Sequence, residues 1–104
     1  MKKLNYPITT KVAGVAHYQR PIINLLLDQL LYLEPEPDNG YDKNAIMVLW
    51  GETKVGYIPA LLAKDLVWDL SRGYLNPKVK VTRINVSSKY PNAPVGFTIQ
   101  IFKH

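Results

Sequence analysis

Ala45-Ile46-Met47-Val48-Leu49-Trp50-Gly51-Glu52-Thr53-Lys54-Val55-Gly56-Tyr57-Ile58 is the stretch that decides the fold. Ala45–Trp50 is apolar on both alternating faces, so it reads as a central strand covered on each side. Gly51-Glu52-Thr53 turns the chain, and Lys54–Ile58 returns as the hairpin partner.

Toward the N-terminus, Glu34-Pro35-Glu36-Pro37-Asp38-Asn39-Gly40 is a loop, with two prolines and then Asn-Gly. Pro21–Leu33 fits two periods at once. Ile22, Leu26, Leu30 and Leu33 have helical spacing, whereas Leu25, Leu27, Leu31 and Leu33 share one face of a strand. We read a short turn or helix near Pro21, then a strand over about Gln29–Leu33. Thr9–Ala16 reads as a further strand interrupted by Gly14, a mark of a bulge or a close backbone approach.

Toward the C-terminus, Pro59 suits a first helical position and Gly73 a helix end. Between them Leu62, Ala63, Leu66, Val67 and Leu70 form one apolar stripe, which predicts the principal helix over about 60–72. Val79 and Val81 share a face, but Ile84 and Val86 have the opposite parity. That slip near Thr82-Arg83 predicts a β-bulge. Ser87–Pro94 is a polar loop, and Gly96–Phe102 a last strand with Phe97, Ile99 and Ile101 inward. About six short strands and one principal helix make the chain mainly β, a strongly curved sheet or partly closed barrel.

Composition bounds the function. A chain of 104 residues, 47% hydrophobic, holds one domain and one core. No apolar run approaches the ~20 residues of a membrane span, and the basic start Met1-Lys2-Lys3-Leu4 is not followed by a signal-type apolar region. With no cysteine there is no disulfide or thiolate metal site, in keeping with a cytoplasmic setting. The net charge of +5 is unevenly placed. Residues 1–52 hold five Lys/Arg against six Asp/Glu, and residues 53–104 hold eight against two. A basic half fits a polyanionic partner, because Lys and Arg displace counterions from phosphates; it equally fits a generic basic surface.

Catalytic chemistry has little to work with. There is no Cys, and His17 and His104 are too few for a His-based zinc site. No phosphate-cradling glycine loop occurs. Glu34, Glu36, Asp38 and Asp42 crowd together, but not at the spacing of an EF-hand, and they read as a solvated acidic loop. The expectation is a binding domain, not an enzyme, with no metal and no cofactor. Of seven tyrosines, Tyr18, Tyr41 and Tyr57 fall at strand ends or loops. Each ring could stack on a nucleobase or could simply pack inward with its hydroxyl at the surface.

Val12-Ala13-Gly14-Val15, then Tyr41-Asp42-Lys43-Asn44-Ala45-Ile46, then Val55-Gly56-Tyr57-Ile58-Pro59 together resemble the HIRAN domain. The resemblance spans about residues 9–102 of a single-domain 1–104 chain. HIRAN domains occur alone in bacteria and phages and as modules of SWI/SNF-type fork-remodelling translocases. The resemblance implies a modified OB-like barrel, a role in DNA repair, and a site for the 3′ end of single-stranded DNA. Carried over, Asp42 would accept the proton of the 3′-hydroxyl, and Tyr41 with His17 or Tyr18 would flank the end base. Tyr57 would line the pocket near a phosphate, Phe97 would offer a further stacking face, and Asp38 and Asn39 would complete the loop side of the site. An ionised carboxylate only accepts hydrogen bonds and repels phosphate, so Asp42 would favour a free hydroxyl. Three positions depart from the pattern. Ala16 stands where an end-binding branch has arginine, Asp38 where Asn is usual, and Gly40 where Pro is common. Losing a cation weakens binding and flattens its salt dependence.

The alternative is a protein-interaction module on the same fold. Leu61, Lys64, Trp68 and Arg72 lie off the main stripe of the helix and could meet nucleic acid or a protein partner, or pack under a neighbouring loop.

Overall fold

The computed structural model describes residues 3–104; Met1 and Lys2, half of the basic start, lie outside the described residues. Six strands carry the chain: β1 (Ile8–Lys11), β2 (Leu30–Pro35), β3 (Ile46–Trp50), β4 (Thr53–Tyr57), β5 (Lys78–Asn85) and β6 (Gly96–Ile101). A 3₁₀ turn (Val15–Tyr18) and the short helix α1 (Gln19–Ile22) follow β1, and the principal helix α2 (Ala60–Ser71) follows β4. All pairs are antiparallel, in the order β1-β6-β5-β2-β3-β4.

The sheet curls until its two edge strands meet. Just past β1, the Ala13 N–H donates to the Tyr57 carbonyl at 2.7 Å, and the Tyr57 N–H returns a bond to the Ala13 carbonyl at 2.9 Å. The result is a half-barrel with one closed seam. Closure of this kind removes edges that would otherwise template aggregation.

Period two sets the core. Leu31 and Leu33 of β2, Ile46 and Val48 of β3, Val79 and Val81 of β5, and Phe97, Ile99 and Ile101 of β6 all point inward and are buried. Each side chain so buried contributes roughly 1.5–3 kcal/mol. From α2, Ala63 and Leu66 are fully covered, and Leu62, Val67 and Leu70 pack against the core. Helix α2 ends at Gly73, where the Gly73 N–H bonds the Leu70 carbonyl and the Tyr74 N–H the Asp69 carbonyl. No helix among the described residues is long and apolar enough to cross a membrane.

Several boundaries differ from expectation for physical reasons. β1 stops at Lys11, not Ala16, because Gly14 adopts φ +72° and sends the chain into the 3₁₀ turn. Over residues 21–33 the helical period wins only for the one turn of α1, and β2 begins at Leu30 and extends to Pro35. Pro59 sits just outside α2, extended at ψ 137°, with its carbonyl taking the Leu62 and Ala63 N–H groups. The bulge expected near Thr82-Arg83 is present, as the β5–β6 register shifts between Val81 and Arg83. Phe97 is a correction. It is fully buried between β5 and the interior, on the same face as Ile99 and Ile101, so it offers no stacking face to a ligand.

Candidate functional site

A second bulge positions the site. Val48 pairs with Gly56 and Leu49 with Lys54, which leaves Val55 as an extra residue in β4. Without it, period two would put Lys54 and Tyr57 on opposite faces. With it, Val55 and Ile58 are buried while Lys54 and Tyr57 both reach the outer surface. Gly56 lies under the seam at φ +154°. A Cβ there would stand 2.7 Å from the Ala13 carbonyl oxygen and would collide with Val12 Cγ1. Only glycine lets the two edge strands close at this point.

The loop between β2 and β3 builds the opposite wall. Asn39 Oδ1 accepts the N–H groups of Tyr41 (2.8 Å) and Asp42 (3.0 Å), and Asp42 Oδ1 accepts that of Asn44 at 2.9 Å. Asx side chains do this in turns because their short acceptors reach backbone two residues on. Asp42 Oδ2 keeps its acceptor capacity for another donor.

Glu36 ties loop and sheet together. Its Oε1 accepts Asn39 Nδ2 at 2.7 Å and the Tyr57 hydroxyl at 2.8 Å, and its Oε2 pairs with Lys54 Nζ at 2.9 Å. Lys54 Nζ also donates to the Tyr57 hydroxyl at 2.7 Å and sits 4.9 Å from that ring's centroid. Hydrogen bonds from Asn39, Lys54 and Tyr57 pull the Glu36 carboxyl down to about 2. The Tyr57 and Glu36 oxygens hold the Lys54 ammonium well above its ordinary range. The Lys54 hydrogen bond pulls the Tyr57 hydroxyl down, but burial and the Glu36 carboxylate outweigh it, so the net direction is up.

Between these walls is an open cavity of about 280 Å³. Ala13, Gly14, Ala45 and Ile58 give it a floor of small and aliphatic groups, and Asn39, Tyr41, Asp42 and Tyr57 surround it. Tyr41 is fully exposed, at 102% of its reference area, so its ring stands free at the rim. The Tyr57 hydroxyl is engaged by Glu36 and Lys54, so what Tyr57 leaves to the cavity is its ring.

Four of the sequence-predicted residues therefore meet: Asn39, Tyr41, Asp42 and Tyr57. The others do not line the cavity. His17 and Tyr18 sit in the 3₁₀ turn next to Gly14, which packs on β4; His17 is exposed, and Tyr18 leans partly on the core. Their rings meet edge-on, 6.3 Å between centroids. Asp38 is exposed on the loop, outside the cavity wall, and Phe97 belongs to the core. Sequence reasoning missed Glu36 and Lys54. Glu36 is not a solvated loop carboxylate, and its partner lies 18 residues away, too far for any local pattern to join them.

A larger cavity, about 670 Å³, lies between the N-terminal segment, the end of α2 and Lys103. It holds none of the predicted residues. Its Tyr6 hydroxyl is tied to Asp69 Oδ2 at 2.7 Å, and burial with that carboxylate pushes the hydroxyl's pKa well up. Among the described residues no group of three or more His, Cys, Asp or Glu is placed to hold a metal.

The fold is similar to the crystal structure of the HIRAN domain of human HLTF, with a TM-score of 0.67 and 21% identity over 92% of this chain and 74% of that one. It is equally similar to the crystal structure of a protein from Lactobacillus plantarum, with a TM-score of 0.67 and 21% identity over 92% of each chain. No curated protein sequence matches the chain. The HIRAN domain family model matches residues 6–102, which takes in both walls of the cavity, the seam and the core; the chain belongs to the HIRAN domain family.

Proposed function

We propose that this domain binds nucleic acid and receives the free 3′-hydroxyl end of single-stranded DNA in the cavity beside Tyr41. The observation that carries the reading is a bare aromatic ring, Tyr41, at the rim of a cavity walled by a second ring, Tyr57, with the Asp42 carboxylate alongside. Stacking on such rings supplies affinity without base identity, worth ~1–3 kcal/mol per base. The second oxygen of Asp42 suits a hydroxyl donor, and the carboxylate's charge disfavours a phosphate that would continue the strand. His17 and Tyr18, on the neighbouring turn, would meet the strand only beyond the cavity, and Asp38 would repel phosphate from the loop side. On this reading the chain acts as a binding module.

Competition between linear and circular single strands of one sequence tests the reading. A linear strand has an end to insert, and a circle has none. The linear strand should compete at least about tenfold better, a difference of ~1.4 kcal/mol. Equal competition would mean that the cavity reads strands but not ends.

A second reading has its own support. Ile23, Leu26, Leu27 and Leu30 are exposed along one short segment, and Leu61 and Trp68 are exposed on α2. Apolar residues grouped in this way mark protein contacts, so a protein partner could share the domain.

A further inference from the structure

The cavity is not where the positive charge is. Its lining residues include no lysine or arginine, and Lys54, which braces its wall, is already spent on Glu36 and Tyr57. The strands β1 (ITTK), β5 (KVKVTRIN) and β6 (GFTIQI) together carry three lysines and one arginine, and no Asp or Glu. The strand register fixes where those cations go. Val79, Val81, Phe97, Ile99 and Ile101 are buried, so Lys78 and Lys80, alternating with the valines, lie on the outer face. Beyond the β5 bulge, Arg83 pairs with Thr98, and Thr98 pairs with Lys11. One row across the outer face therefore reads Lys11, Thr98, Arg83. The next reads Thr9, Gln100, Lys80.

Strands lie about 4.8 Å apart and rise about 3.3 Å per residue, which puts the four cations in a patch roughly 10 Å wide and 16 Å long. Neighbouring cations in it stand roughly 7–10 Å apart, about one Debye length at physiological salt, so the fields of neighbours overlap. Between them stand hydroxyl and amide groups, which can donate to phosphate oxygens. The nearest carboxylate is Asp28, 3.8 Å from Lys80 across an exposed contact of little strength. The patch also joins the cavity. Lys11 lies two residues before Ala13, on the same outward parity, and Ala13 is part of the cavity floor.

We propose that the outer face of β1, β6 and β5 is a second binding surface, a phosphate track for the strand whose end occupies the cavity, with Lys11, Arg83, Lys80 and Lys78 met in succession. This rests on the end-binding reading given above. The track reads charge alone, so it is indifferent to sequence and sensitive to salt.

The test compares thymidine trinucleotide with thymidine dodecanucleotide, both with free 3′ ends, by NMR titration of the full chain. The unaltered protein should bind the longer strand more tightly. A variant carrying Lys11→Gln, Lys80→Gln and Arg83→Gln should hold the trinucleotide within about twofold and the dodecanucleotide about tenfold more weakly. Its log–log salt slope should be shallower by about 2, since each cation lost on a single strand removes ~0.7. A control carrying Lys64→Gln, Lys89→Gln and Lys103→Gln has the same net charge and should keep most of the affinity. Undiminished dodecanucleotide binding by the first variant, or an equal loss in the control, would overturn the track. Dodecanucleotide binding that needs the face while the trinucleotide fails to bind would support the track and overturn the end-reading cavity. No binding of either strand at low salt would overturn both.

Discussion

Glu36 directly follows β2, with its carboxylate held by three donors from two parts of the chain, Asn39 in the loop and Lys54 and Tyr57 in β4. It therefore fixes both walls of the cavity without lining it. Its carboxyl is lowered from an ordinary 4.5 to about 2 in the folded protein. A depressed carboxyl stabilises the fold fully above its unfolded pKa, and that stabilisation is lost as pH falls from about 4.5 toward about 2. Glu36→Gln keeps the shape and removes the charge. It should cost about 1–2 kcal/mol of stability at neutral pH, the usual worth of hydrogen bonds to a charged group. Urea denaturation at neutral and at acid pH checks the sign. The gap between variant and parent should shrink in acid, where the parent's own carboxylate takes a proton, and a gap that widened there would contradict this role.

At the scale of elements, β4 and its seam with β1 hold the site together. The bulge at Val55 turns Lys54 and Tyr57 to one face, and Gly56 lets the Ala13 carbonyl pass close beneath. Gly56→Ala should destabilise the protein by about 1–3 kcal/mol, the usual cost of a strained backbone position. It should also open the seam. Amide hydrogen exchange reads this directly: the Ala13 and Tyr57 N–H groups should lose protection first, and retained protection at both would show that the seam does not depend on glycine. The two bulges differ in how legible they were. In β5 the slip from Val79 and Val81 to Ile84 breaks an alternating pattern, so it can be read from the chain. In β4 the sequence Lys54-Val55-Gly56-Tyr57 breaks no pattern, because one side chain of the bulge is missing at Gly56. Phe97 shows the same contrast. Its parity with Ile99 and Ile101 marks it as core, and the structure follows the parity.

For the whole molecule, the proposed reading puts end recognition in the cavity and the salt-dependent part of the affinity on the outer sheet. The cavity is lined by two tyrosines and a carboxylate, whereas Lys78, Lys80 and Arg83 of the basic half lie on the outer sheet with Lys11 across from them. The curved-sheet architecture was readable from strand count and a single amphipathic stripe. The meeting of Asn39, Tyr41, Asp42 and Tyr57 was readable only through the family motifs, because contacts across 18 positions leave no local periodicity. Asp42 should make the domain sensitive to the chemistry of the DNA end. A 3′-hydroxyl donates a charge-assisted hydrogen bond worth ~1.5–3 kcal/mol, and a 3′-phosphate sets two negative charges side by side away from bulk water. Asp42→Asn retains an acceptor oxygen for the Asn44 N–H and removes the repulsion, so it should narrow any difference between the ends. The most direct measurement is the affinity of the unaltered protein for one short single strand ending in either a 3′-hydroxyl or a 3′-phosphate. The hydroxyl end should bind at least about tenfold more tightly, and equal affinity for the two ends would contradict end recognition by this cavity.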